Sequence, residues 1–436
     1  MPGQEVRVPF GKQELSFTLP NNWNIVDTCM PKEIPPCESA HAEAQRALAE
    51  PIGSPGLKET LKGAEKVAVV VDDISRPTPV RDFFKSVMEA VEAAGIKPEN
   101  ITVVTALGVH RDMTDEEIEG KIGAWGFARY RCVNHNFEPG DHLRHLGRTS
   151  RGSEVWVNGI VADADVTISF GCVEPHTIAG FGGGYKNLFP GVAGKQTIAA
   201  NHALNTTPDT FNGVGTRPED NPMRCDLEEC GGMVPTKMFI VNAVLDGYQQ
   251  VVKIVAGDPI AAHREGIKTA QDIFGAKIEK PADVLITSSH PMNIDLRQGF
   301  KAMANLIGAV RPGGVMLNLV LAEQGLGDMN MPSRNLYLGK KSLKILSHLL
   351  LPLVGRFTFG MKEEDLFFIY FALQAMKRND IYFYSPNIPE ALTKRAPFLE
   401  IHNSVDAMLA AAHKAMSGKA DVLVFPLGGV SYPVLE

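Results

Sequence analysis

Residues Gly171–His202, GCVEPHTIAGFGGGYKNLFPGVAGKQTIAANH, follow directly on the apolar run Asp165–Gly171, DVTISFG. The apolar run has the length and composition of a buried strand, whereas the segment after it reads as neither helix nor strand. Glycines at this density supply positions with φ > 0 and let the main chain approach a ligand closely, at an entropic cost that folding alone gives no reason to accept. Many Gly-rich stretches are only surface loops. This one leaves the carboxyl end of a buried strand, which is where open α/β sheets place their ligands.

Apolar runs of strand length recur along the chain, at Lys66–Asp73, Ile101–Gly108, Asp283–Ser289, Val315–Ala322, Ile381–Ser385 and Asp421–Pro426. Helix-like segments lie between many of them. Arg81–Ala94 has apolar residues at helical spacing and stops at Gly95, Thr114 and Glu117 form a capping-box pattern, and Ala261–Phe274, Gln298–Val310 and Ser404–Met416 are periodic too. Alternation of this kind predicts an α/β protein of two domains, with mostly parallel sheets flanked by helices and the active site in the interdomain crevice. The boundary is expected near residue 275, giving an N-terminal α/β domain over 1–275 and a C-terminal one over 276–436 whose last strand could return to the first. The alternating N-terminus suggests a strand pair. The Pro- and Gly-interrupted stretch 203–240 suggests a lid or an interface.

Composition narrows the partners. A formal charge of −7 offers no basic field for nucleic acid. The N-terminus lacks the apolar core of a secretory signal, and Leu343–Gly360 is broken by Ser347, His348, Pro352, Gly355 and Arg356, so a soluble, cytoplasmic protein with no membrane partner is expected. Six cysteines without CxxC spacing point to reduced thiols; Cys225 and Cys230 have no matching pair for zinc, and Cys172 reads as a packing residue.

The expected strand ends carry ionisable clusters: Asp72-Asp73-Ile-Ser-Arg76, Gly108-Val-His110-Arg111 and Glu174-Pro-His176. Asp73, three residues before Arg76, could pair with it and orient its guanidinium toward a carboxylate or phosphate. Two imidazoles, each titrating near neutrality, could give or take a proton on opposite faces of a substrate, as racemisation or epimerisation requires. His202 is a third imidazole without evident acid/base work and could ligate a borderline divalent metal.

DISRP, GVHR, CVEPHTIAGFGGGYKNLFPG and the following NH resemble the nickel-pincer-dependent lactate racemase family through nearly the whole chain. The resemblance implies a 2-hydroxy acid racemase or epimerase whose cofactor is a nickel-pincer nucleotide, made by cofactor-synthesis enzymes. The cofactor would be tethered to Lys186, with Lys195 the alternative, and cradled by Asp73, Gly182, Gly183 and Gly184. His202 would complete the nickel coordination. The implied chemistry is removal of the α-hydrogen as hydride, with His110 and His176 moving the hydroxyl proton, one for each enantiomer. Arg76, Gln298 and Lys301 would hold the substrate, Lys301 as the cation for its carboxylate.

Two positions depart from the lactate-acting members. Arg297 stands where they carry Tyr, and Leu366-Phe367-Phe368 stands where they carry Trp. A guanidinium there suits a second carboxylate or a polyhydroxy chain, such as malate or a sugar acid. The rival readings are a non-catalytic cofactor or metal carrier, and a metal-dependent hydrolase with His110, His176 and His202 as ligands. The second lacks the carboxylate ligand or HxH spacing that zinc hydrolases usually show.

Overall fold

A computed structural model describes residues 3–205, 212–327, 342–347 and 363–435, with single positions 329, 331, 335, 339 and 351 between them; for 363–369 only the backbone is described. Most of the apolar stretch Leu343–Gly360, and the side chains of Leu366, Phe367 and Phe368, therefore lie outside the described residues. Among the described residues no helix is long and apolar enough to cross a membrane. The chain forms two compact units, one of Glu33–Leu204 with Thr216–Ile273, the other of Met1–Lys32, Asn205–Gly215 and Phe274–Glu436.

The first unit is built on a six-stranded sheet in the order Val251–Gly257, Lys237–Leu245, Val166–Cys172, Val67–Asp72, Ile101–Ala106, Arg131–Asn134. All neighbours are parallel except the edge pair of Lys237–Leu245 with Val251–Gly257. Val67–Asp72 and Val166–Cys172 are buried at every position, because helices cover both faces of a parallel sheet and leave no side for polar alternation. Helix Phe84–Ala93 buries Phe84, Val87, Met88 and Val91, one stripe at helical spacing, and Phe84 packs on Phe170 with ring centroids 5.1 Å apart. Helix Asp115–Ile122 begins with the full capping box of Thr114 and Glu117.

The second unit holds another six-stranded sheet, all parallel, in the order Glu400–His402, Asp380–Tyr384, Val310–Leu319, Ala282–Ser288, Ala420–Phe425, Trp23–Thr28. The units part at Ile273/Phe274, next to the expected 275, but neither is one continuous span. The first 32 residues belong with the C-terminal unit, because Trp23–Thr28 pairs with Ala420–Phe425 and the hairpin Glu5–Phe10/Gln13–Thr18 packs Val6, Val8, Phe10 and Phe17 into the core with Val284, Ile286 and Leu317. The last strand, Tyr432–Leu435, stays in the same unit by pairing with Gly275–Ile278.

Two local expectations also change. The 203–240 stretch is not irregular throughout: Pro222–Met233 is a helix of the first unit, started by Asn221 and Pro222, with Arg224, Asp226 and Leu227 fully buried. Within Gly171–His202 the irregular part ends at Gly194. Lys195–Ala203 is a helix, and Pro175–His176 pairs with Gly180–Phe181 as a two-residue ladder.

Candidate active site

Val166–Cys172, Val67–Asp72 and Ile101–Ala106 are parallel neighbours, with Val71 opposite Phe170 and Asp72 opposite Ala106, so their carboxyl ends share one sheet edge. The segments leaving that edge carry Asp73, Ser75 and Arg76 from the first of these ends in sequence, His110 from the second, and Glu174 and His176 from the third.

Asp73 is buried and fully engaged. Its Oδ1 accepts from the Ser75 amide at 3.0 Å and the Ser75 hydroxyl at 2.6 Å, and its Oδ2 meets His110 Nδ1. Burial alone would push this carboxyl up, but the bond to His110, the charge of Arg76 and the Ser75 contact together hold it well below the usual carboxylate range. An ionised carboxylate only accepts, so His110 carries a proton on Nδ1, and in the neutral ring the lone pair lies on Nε2.

The expected pairing of Asp73 with Arg76 is replaced by another. Arg76 Nη1 lies 3.0 Å from Oε1 of the buried Glu174, across to the next strand end. Local spacing could not indicate this, because Glu174 is 98 residues away. Sequence reasoning also missed Lys121. From helix Asp115–Ile122 its buried ammonium lies 2.6 Å from Asp72 Oδ1 and donates to the carbonyls of Asp73 at 3.1 Å and Arg76 at 3.2 Å. It thereby fixes the turn that aims Asp73.

His176 is held differently from His110. Its Nδ1 accepts from the amides of both Ile178 and Ala179, each at 3.2 Å. Cys172, buried beside Glu174 and Asp72, has its thiol pushed well up, mainly by burial, as suits a packing residue.

The Gly-rich loop answers first to the protein's own packing. Gly183 and Gly184 have φ of 78° and 63°, and a Cβ at Gly182, Gly183 or Gly184 would lie about 3 Å from Cys172 O, Asn242 Oδ1 or the His263 ring respectively. Arg224, fully buried, donates to the carbonyls of Phe181 and Gly183 (the latter at 3.1 Å), and His263 Nε2 meets Gly182 O at 2.8 Å. The Gly184 amide donates to Asn242 Oδ1 at 2.8 Å. These three polar residues anchor the turn Gly184–Asn187, on which half-buried Lys186 sits. Lys195 instead pairs with Glu138 at 3.2 Å on an exposed face.

His202 lies in the last turn of helix Lys195–Ala203. Its Nδ1 donates to the Ile198 carbonyl at 2.7 Å, so in the neutral ring the lone pair lies on Nε2, the tautomer of a metal-ligating imidazole. Among the described residues no three His, Cys, Asp or Glu side chains are grouped as a metal site, so His110, His176 and His202 do not form the joint ligand set that a hydrolase reading requires.

Residues 10–213 match the family described as lactate racemase N-terminal domain. The chain is 28% identical over 326 residues to lactate racemase of Thermoanaerobacterium thermosaccharolyticum, covering 74% of this chain and 75% of that one. To lactate racemase of Lactiplantibacillus plantarum it is 26% identical over 291 residues, covering 66% and 68%. In sequence, the chain is therefore similar to lactate racemases. In fold, it is similar to the lactate racemase apoprotein of T. thermosaccharolyticum, with a TM-score of 0.82 at 23% identity over 99% of this chain and all of that one. It is also similar to a Thermotoga maritima protein, with a TM-score of 0.65 at 18% identity over 92% of this chain and all of that one.

Arg297, Gln298 and Lys301 stand on helix Leu296–Leu306 of the second unit. Asp295 caps that helix by accepting the Gln298 amide at 2.7 Å, and Arg297, Gln298 and Lys301 are all half-buried. The Gln298 Oε1 atom is buried and accepts no hydrogen bond among the described residues, an arrangement that suits a ligand donor. The residues of the first unit also suit the cofactor that the resemblance implies: a lysine on a turn anchored by three buried polar groups, and an imidazole whose Nδ1 is tied to a carbonyl.

Proposed function

We propose that the chain is an isomerase that inverts the α-carbon of a 2-hydroxy acid with a nickel-pincer nucleotide held by Lys186 and His202. The α-hydrogen beside a carboxylate is a very weak acid, so its removal as a proton is difficult. Its removal as hydride becomes feasible when a base takes the hydroxyl proton at the same time. When bound, the nucleotide would supply the hydride acceptor. The chain's own residues supply the remainder.

The single observation that carries this reading is the Asp73–His110 pair at the sheet edge. Asp73 orients the ring, keeps the Nε2 lone pair outward and stabilises the imidazolium that forms when the hydroxyl proton arrives. Arg76, paired with Glu174, offers a guanidinium beside that pair for an anionic group of the ligand. Gln298 and Lys301 are the residues for the substrate's oxygen and carboxylate, and Arg297 adds a second cation. That addition favours a second carboxylate or a polyhydroxy chain, as in malate or a sugar acid, over lactate.

The test is to express the chain with cofactor-synthesis enzymes, measure intact mass and metal content, and offer 2-hydroxy acids deuterated at the α-carbon. Interconversion of enantiomers with the deuterium retained supports hydride removal. Interconversion with loss of deuterium to water, or no interconversion of any acid by nickel-loaded protein, overturns the reading.

A further inference from the structure

Helix Pro222–Met233 fully buries two charged side chains, Arg224 and Asp226, and among the described residues neither has an ion-pair partner. They stand two residues apart, roughly 200° around the helix, and so face opposite ways. Arg224 donates to three carbonyls of the Gly-rich loop: Ala179 at 3.4 Å, Gly183 at 3.1 Å, and Phe181. Gly231 lies two turns further along the same face, and a Cβ there would run into the ring of Tyr185, the residue before Lys186. On the other face, Asp226 accepts from the Thr149 hydroxyl at 2.6 Å, the Ser153 hydroxyl at 2.8 Å and the Asn201 side-chain amide at 2.8 Å. Asn201 immediately precedes His202 on helix Lys195–Ala203, and its amide also donates to the Met223 carbonyl at 3.1 Å.

Packing alone gives no reason for these two charges. Burying a charge costs free energy unless hydrogen bonds satisfy it, and apolar side chains of similar volume often serve a core at least as well. What a hydrogen-bonded charge adds is direction, since each bond holds one donor to one acceptor within a narrow range of distance and angle. One face of the helix holds the loop and turn that carry Lys186, and the other holds the helix that carries His202. We infer that helix Pro222–Met233 is a strut that fixes the Lys186 turn against the His202 helix, with Arg224, Asp226 and Gly231 as its positioning residues. That the strut serves a cofactor rests on the isomerase reading above; the coupling of the two segments does not.

The two arms of the strut can be cut one at a time. Asp226→Ala removes the acceptor of Asn201 and leaves Arg224 and Gly231 in place. Asp226→Asn keeps an oxygen for Asn201 and Ser153, while its NH₂ group faces the Thr149 hydroxyl, which can accept. Gly231→Ala drives a methyl into the Tyr185 ring, although alanine is the better helix former. On the unloaded full-length chain, amide hydrogen exchange reads each arm. Asp226→Ala should exchange at least tenfold faster within 195–203, and Asp226→Asn should stay near the parent there. Gly231→Ala should speed exchange at Leu188 and Phe189, whose amides both donate to the Tyr185 carbonyl at 2.9 Å. Unchanged exchange in Asp226→Ala or Gly231→Ala, or an equal rise in Asp226→Asn, overturns the inference.

In protein expressed with cofactor-synthesis enzymes, Gly231→Ala should carry at least tenfold less mass adduct than the parent. Asp226→Ala should keep the adduct but release nickel to a chelator at least tenfold faster, with Asp226→Asn close to the parent. Adduct and nickel retention at the parent level in both Gly231→Ala and Asp226→Ala overturn the inference as well. Gly231→Ala, which adds only a methyl, keeps the test decisive if Asp226→Ala does not fold. A parent chain that takes up no adduct contradicts the isomerase reading instead, and hydrogen exchange, which needs no cofactor, then still decides whether the strut holds the two segments.

Discussion

Replacing Asp73 by Asn changes one atom and should invert the chemistry of His110. Asp73 is 4% exposed, and Asn has nearly the same shape, so packing is preserved. The orientation of the new amide is dictated by Ser75, whose main-chain N–H can only donate and sits 3.0 Å from Oδ1. The amide oxygen must stay at Oδ1, and the NH₂ group takes the place of Oδ2, facing His110 Nδ1. That nitrogen must then accept, the imidazole proton moves to Nε2, and the lone pair that takes the hydroxyl proton is gone. Loss of a positioned general base lowers rates by about 10²–10⁴, equivalent to roughly 2.7–5.4 kcal/mol of transition-state stabilisation. The assay is the initial rate of enantiomer interconversion by chiral chromatography on cofactor-loaded protein, with the His110 tautomer read by NMR and folding checked by circular dichroism. A folded Asp73→Asn protein with kcat within tenfold of the parent, or with His110 still protonated on Nδ1, would refute the reasoning.

Lys186→Ala should abolish the cofactor mass adduct without unfolding the chain; an adduct that persists and maps to Lys195 reassigns the tether. Lys121→Met leaves the buried Asp72 carboxylate without its 2.6 Å partner and should destabilise the first unit by about 3–5 kcal/mol, read as a lower denaturant midpoint; an unchanged midpoint shows that the pair contributes nothing net. Because the folded-state pKa of Asp73 lies below its unfolded value, its stabilisation is present at neutral pH and lost as pH falls through and below the ordinary carboxylate range. Asp73→Asn should therefore flatten the acid limb of stability against pH, and an identical limb in parent and variant contradicts this. Arg297→Tyr should lower the preference for malate-like over lactate-like acids by about ten- to a hundredfold in kcat/KM, the equivalent of a charge-assisted contact of about 1.5–3 kcal/mol. An unchanged ratio removes Arg297 from substrate selection.

By itself, the sequence determined the strands, most of the helices and the residues at the strand ends. These signals are local: a run such as Val67–Val71 is apolar at every position because it is covered on both faces, and Thr114 with Glu117 marks a helix start within four residues. Asp73, His110 and His176 were legible for the same reason, since a parallel sheet puts the ends of its strands on one edge whatever their order.

Tertiary structure alone decided which groups those residues meet. Trp23–Thr28 joins a strand nearly 400 positions later, and Arg76 finds Glu174 instead of Asp73, since partners far apart in sequence leave no periodic trace. Buried Arg224 anchors the Gly-rich loop from the stretch expected to be a lid or an interface, and His263 anchors it from one that reads as ordinary helix. The hydrogen bonds of His110 and His176 are further still from sequence: a carboxylate meets one Nδ1 and two amides the other, and only the folded chain brings those groups within hydrogen-bonding distance.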